Sequence, residues 1–194
     1  MDTLLTKAIQ DKNDCAQYTG TVTVSAYLGE RLIQQETHHN AGLQNLFKFI
    51  GSCLQGNWAE AKSKKPSKIV LLRAATGENL TIGSDDCSNP IENASYWSST
   101  YAVCSPAAYT NAAVSKITSV EGKPASAVTY HFSIPFLKLL SGSKVQKLML
   151  LPSNVSDYAR EACAYYILKN EIEIPEASGN FTLVIDWTLT FTNA

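Results

Sequence analysis

The residues with most capacity for chemistry are three histidines, five cysteines and 17 acidic side chains. His38 and His39 are adjacent, and neighbours on an extended chain point to opposite faces, so at most one of them can serve a given metal; His131 is the third. The cysteines Cys15, Cys53, Cys87, Cys104 and Cys163 are odd in number and contain no CxxC pair, a pattern that suits free thiols in a reducing compartment. Asp85-Asp86 beside Cys87 is followed by no Gly-spaced acidic loop, which argues for a solvated turn over a calcium site. Ser95, Ser98 and Ser99 lack the G-x-S-x-G elbow that exposes a nucleophile. The glycines match neither G-x-G-x-x-G nor the P-loop, so nothing is arranged to cradle a phosphate. Glu171 and Glu173 stand at strand spacing and can share a face; a solvated edge explains them better than a glycosidase pair. The expectation is a non-enzyme with no catalytic, cofactor-binding or metal residues.

One group offers binding without catalysis. Tyr96, Trp97 and Tyr101 sit among Ser and Thr residues, a mixture that suits sugar stacking or a protein interface. Equally, Trp97 can plug its own loop onto the body of the protein. Leu4, Leu5 and Ile9, near the start of the chain, are a second group of interface candidates. They have helical spacing but are too few to fold alone.

The elements that must position these residues are mainly strands. Val22, Val24, Ala26 and Leu28 alternate with Thr21, Thr23, Ser25 and Tyr27, which predicts a half-buried strand; Gly29-Glu30 turns it back into a second strand over 31–37. Leu43, Leu46, Phe47, Ile50, Cys53 and Leu54 form one stripe of 3.6-residue period, predicting a helix over 41–55 with Asn40 as N-cap and Gly56 as its stop. Its Leu46, Phe47 and Ile50 are expected to pack on the sheet. Trp58 and residues 59–65 read as a loop or a short second helix before Pro66. Further strands are expected over 68–72, 109–120, 128–134 and 144–150. Residues 163–168 suit a strand better than the end of a helix begun at Ser153, on the strength of Tyr165, Tyr166 and Ile167. The last strand places Leu183, Ile185, Trp187, Leu189 and Phe191 on one face, enough large residues for a central position. Residues 76–108 form one long irregular excursion, and such loops on a rigid body usually carry an interaction. The fold class is therefore mainly β: a two-sheet antiparallel β-sandwich (jelly-roll or Ig-like) with one inserted amphipathic α-helix. An arm over 1–16 precedes a single domain over 17–194.

Composition narrows the partners. The net charge is −1 and only 17% of residues are charged, below the roughly 25% of an average soluble domain. No basic stripe points to nucleic acid, and no apolar run reaches the ~20 residues of a membrane span. Leu4-Leu5 is too short for the core of a signal peptide, so a product kept in the cytoplasm is expected. A weakly charged surface is poorly protected against association, which favours an assembled state over a free monomer.

Two segments together resemble known sequences. The first is Thr37-His38-His39-Asn40-Ala41-Gly42, leading through Leu46-Phe47-Lys48-Phe49 to Cys53-Leu54-Gln55-Gly56, with Lys65-Pro66-Ser67-Lys68-Ile69 beyond. The second is the run from Leu183 to Asn193. In this order they resemble small virion proteins of tailed bacteriophages, especially those of gut bacteria, over about a third of the chain. The resemblance implies a class and no residue role. It implies a virion structural protein made in the host cytoplasm, first of all a capsid auxiliary or decoration protein, or else a tail, collar or ring component. Its partners would be capsid or tail subunits and copies of itself. The arm and the excursion are then expected to touch neighbouring subunits. A carbohydrate-binding module using Tyr96, Trp97 and Tyr101 is the alternative from another class.

Overall fold

A computed structural model describes residues 17–42, 44–78, 80, 94–108, 111–115 and 125–192. The arm with Leu4, Leu5 and Ile9, together with Cys15, Asp85-Asp86 and Cys87, lies outside the described residues.

Nine strands are described: β1 (Gln17–Leu28), β2 (Arg31–Gly42), β3 (Pro66–Leu72), β4 (Ala107–Ala108), β5 (Asn111–Ser115), β6 (Ala125–Pro135), β7 (Lys144–Pro152), β8 (Ala164–Glu173) and β9 (Phe181–Thr192). Three helices accompany them: α1 (Gln44–Leu54), α2 (Trp58–Lys64) and the single turn α3 (Tyr158–Glu161). The strands form two antiparallel sheets, β5-β6-β9-β1-β2 and β4-β3-β7-β8, so the chain is a two-sheet β-sandwich with an inserted helix. They are continuous only where Ala41 and Gly42 of β2 pair with Tyr165 and Ala164 of β8.

Alternation decides which faces meet. Val22, Val24 and Ala26 of β1, Phe132 and Ile134 of β6, and Leu183, Ile185, Trp187 and Leu189 of β9 point into one core. Ile69 and Leu71 of β3, Leu148 and Leu150 of β7, and Leu168 and Ile172 of β8 meet them from the other sheet. Each large member contributes about 1.5–3 kcal/mol by leaving water. As its five large residues suggested, β9 is central: it pairs with β1 along its whole length on one side and with β6 on the other.

The second sheet is covered on both faces. Val70, Leu72, Met149 and Leu151 point away from the main core into a second cluster with Trp97 and Ala162. This explains why the second half of β7, Leu148 to Leu151, reads as a continuous apolar run and not as an alternation.

The expected helix needs two corrections. It begins at Gln44 and not at residue 41, because β2 runs on to Gly42; Asn40 pairs with Gly20 of β1 and is therefore no N-cap. Its seated face is also rotated. Leu46 is fully buried, Phe49 and Ile50 pack partly on the core, and Phe47 is 47% exposed. The apolar stripe is wider than its seat, so the sheet takes Leu46, Phe49 and Ile50 and leaves Phe47 and Leu54 outside. Gly56 does end α1. With φ at +70° it lets its own N–H reach the Cys53 carbonyl while the Asn57 N–H reaches the Ser52 carbonyl, a Schellman stop. Asn57 then caps α2 by accepting from the Glu60 N–H at 3.3 Å.

This seating has a measurable consequence. Leu46→Ala should lower stability by about 2–5 kcal/mol, and Phe47→Ala by about 1 kcal/mol or less, in urea denaturation. A larger loss for Phe47 than for Leu46 would contradict the rotation of α1.

Candidate functional site

The described parts of the excursion are held by the chain itself. Residues 94–101 form two 3₁₀ turns lying over the outer face of the second sheet. Trp97, 4% exposed, meets Tyr165 edge to face at 5.1 Å between ring centroids. Tyr96 and Tyr101 are partly buried and meet edge to face at 6.4 Å. From there the backbone follows the end of β3: the Arg73 N–H donates to the Tyr101 carbonyl and the Val103 N–H to the Leu71 carbonyl. Trp97 therefore sits as the plug of its own loop, with no open face for a sugar ring.

Beneath these rings lies a buried charge that no local pattern announces. Lys147 projects from β7 into the second cluster and is fully enclosed. Its Nζ donates to both carboxylate oxygens of Glu78, at 2.7 and 2.8 Å, and to the Tyr96 carbonyl at 2.8 Å. It also stands 4.9 Å from the centroid of the Trp97 ring. All three ammonium donors are thus satisfied. Burial pulls the Lys147 pKa below its ordinary value, and the Glu78 carboxylate acts in the opposite sense. Glu78 in turn accepts from the Ala75 N–H at 2.7 Å. The excursion is thereby tied to β7 at both Glu78 and Tyr96, which fixes these residues from within the chain.

The other chemical candidates are dispersed. On β2, His38 stacks on Tyr166 at 5.6 Å, while His39 is exposed on the opposite face. His131 Nδ1 lies 2.6 Å from the Asp186 carboxylate across β6 and β9, on an open sheet face. Burial pushes the Cys104 thiol up to about 11 and the Cys163 thiol up to about 12, which keeps both neutral and poorly nucleophilic. Glu171 and Glu173 share a face, as their spacing allowed, and both pair with Lys144. Among the described residues, no group of three or more His, Cys, Asp or Glu side chains is placed to hold a metal, and no helix is long and apolar enough to cross a membrane.

Among the described residues, two surfaces with exposed apolar side chains stand at opposite ends of the sandwich. At the end where β2 and β8 join, Leu54 is 84% and Trp58 70% exposed on the α1–α2 hairpin, beside Phe47. At the other end the same two strands have separated. A groove of about 870 Å³ opens between them, lined on the β2 side by Leu28 and Ile33 and on the β8 side by Ile172, Ile174 and the carboxylates of Glu171, Glu173 and Glu176. Neither surface follows from a local motif. Trp58 was legible only as part of a loop or short second helix, with nothing to mark it as exposed, and the groove depends on strands far apart in sequence.

No protein family, curated protein or solved structure matches this chain.

The buried pair gives a test of how the excursion is held. Lys147→Met or Glu78→Gln alone should cost about 3–5 kcal/mol, because each strands an uncompensated polar partner. Lys147→Met combined with Glu78→Leu should cost less than either single change. Urea denaturation measures the loss. Limited proteolysis within 76–104 should be faster in the single variants than in the wild type.

Proposed function

We infer that this chain is a non-enzymatic structural subunit of a larger particle, specifically a virion protein of a tailed bacteriophage. Within that class a capsid auxiliary or decoration protein is the first choice, and a tail, collar or ring component the second. The observation that carries the subunit reading is the distribution of exposed apolar side chains; the bacteriophage class comes from the resemblance of residues 37–69 and 183–193. Leu54 and Trp58 protrude at one end and Leu28 and Ile33 open at the other, on a chain of net charge −1. Large apolar side chains left in clusters on a weakly charged surface mark contact sites. The mechanism is adhesive: the sandwich supplies a rigid body and its ends supply the contacts. Burial of Trp97 leaves a sugar-binding reading without its main stacking platform.

The test is the particle. Mass spectrometry of gradient-purified virions should find this chain in many copies per particle, and fractionation of disrupted virions should place it with the heads. Recovery with the tails would move it to the second choice. Recovery only in the soluble fraction of the lysate would overturn the reading.

A further inference from the structure

The two ends of the sandwich are complementary in apolar exposure and in charge. On the α1–α2 hairpin Leu54 and Trp58 form an apolar crest, 84% and 70% exposed. The segment 44–65 carries Lys48, Lys62, Lys64 and Lys65 against the single carboxylate of Glu60, a net charge of +3 within a chain whose total is −1, with Glu161 of α3 near Lys64. Lys62 lies one helical turn beyond Trp58, so apolar crest and positive flank share a face.

The groove at the other end has the opposite character. Its accessible apolar surface comes from Leu28 and Ile33, over a floor of the buried Ile172, Ile174 and Phe181. Its rim carries Glu171, Glu173 and Glu176 against Lys144 alone, a net charge of −2. The groove is open to solvent, and its volume of about 870 Å³ exceeds that of an indole and a leucine side chain together. Leu28 and Ile33 at its mouth are 44% and 47% exposed, apolar surface that an occupant would cover. The nine residue steps from Ile33 to Gly42 along β2 put about 30 Å between the two surfaces, so one chain cannot fill its own groove with its own crest.

The geometry points to a second copy of this chain as the occupant: Leu54 and Trp58 of one molecule seat in the groove between β2 and β8 of the next, with the hairpin lysines facing Glu171, Glu173 and Glu176. The two patches differ, so the contact is heterologous. Repetition of such a contact gives a ring if the rotation closes and a filament if it does not. The inference rests on the reading of the chain as an assembly subunit and adds which surfaces meet.

The experiment uses two variants of the full chain, both altered only at exposed positions. Leu54→Asp/Trp58→Asp removes the crest and keeps the groove. Glu173→Lys/Glu176→Lys reverses the rim and keeps the crest. Far-UV circular dichroism and melting temperature should match the wild type in both. In sedimentation velocity the wild type should grow beyond the dimer as concentration rises, while each variant alone stays monomeric. An equimolar mixture of the two variants should form a one-to-one dimer and nothing larger, because only one productive contact remains. Trp97 and Trp187 are buried, so acrylamide-quenchable emission comes chiefly from Trp58, and it should fall in the wild type as the mass rises.

A wild type that is monomeric throughout, one that stops at a dimer, or a variant mixture that remains monomeric would each overturn the proposal. So would wild-type binding to phosphatidylserine vesicles that is lost in Leu54→Asp/Trp58→Asp without any self-association, which would assign the crest to a membrane. A chain found in purified virions yet monomeric in solution sinks the head-to-tail contact and leaves the subunit reading standing. Head-to-tail growth by a chain absent from virions does the reverse.

Discussion

β2 belongs to two sheets, and the shape of the molecule follows from that. It pairs with β1 from Arg31 to Asn40, then uses Ala41 and Gly42 to pair with β8. Below that junction the strands part, and β8 loses its regular ladder with β7 between the pairs Lys147–Ile167 and Val145–Ile172. The backbone groups freed by this break must find partners or water. Side chains of β2 supply them. Glu36, 9% exposed, accepts from the Lys169 and Asn170 N–H groups at 3.1 and 3.2 Å and from the Tyr166 hydroxyl at 3.2 Å. Gln34 donates to the Asn170 and Glu171 carbonyls. A carboxylate and an amide thus stand in for the acceptor and donor that a strand would present. The Tyr166 pKa is raised by burial first and by the Glu36 carboxylate second, so its hydroxyl stays a donor to that carboxylate. Because the sheets are joined at one end and held apart at the other, the helical hairpin caps the joined end and the groove opens at the other.

The second sheet meets a different requirement. Part of its outer face is apolar and needs a cover, which the 3₁₀ turns around Trp97 and the short helix α3 provide. A lysine inside that cover is a costly choice unless its charge is matched. The bidentate Glu78 pair and the Tyr96 carbonyl match it, and they do so only when the loop lies in one position. Hydrophobic contact alone would tolerate sliding; three directed hydrogen bonds from one buried ammonium do not.

What the sequence disclosed and what it withheld divide along the range of the interactions. The alternations at 22–28, 128–134 and 183–191 are local, and β1, β6 and β9 stand where those patterns put them. Gly56 was equally legible, because a helix stop is written within a few residues. The extension of β2 through His38 to Gly42 was not, since these residues are weak strand formers and their pairing is imposed by Gly20 and Ala164. The seated face of α1 depends on which part of a wide stripe meets the core. Lys147 has its partner 69 residues away, and Gln34 bridges to carbonyls 136 and 137 residues away, so neither buried network leaves a trace in local spacing. The same holds for the candidate surfaces. Trp97 advertised itself by composition and turned inward, whereas Trp58 and the groove are defined by what the fold leaves uncovered.

The broad outer face of the first sheet bears on where contacts can form. Its polar side chains largely answer one another: Thr23 with Thr37 at 2.8 Å, Thr129 with Thr188 at 2.9 Å, Gln35 with Ser25 at 2.9 Å, and His131 with Asp186 at 2.6 Å. Groups already paired gain little from a new partner and still lose water when covered. Apolar side chains have no such prior engagement, and removing them from water is favourable by about 25 cal/mol per Å². Here the most exposed of them cluster toward the ends, at Leu54 and Trp58 on the hairpin and at Leu28, Leu32, Ile33, Leu137 and Leu140 in the opposite half. The flat polar face is therefore better suited to water than to a neighbour, and association driven by burial would run along the strands and not across the sheet.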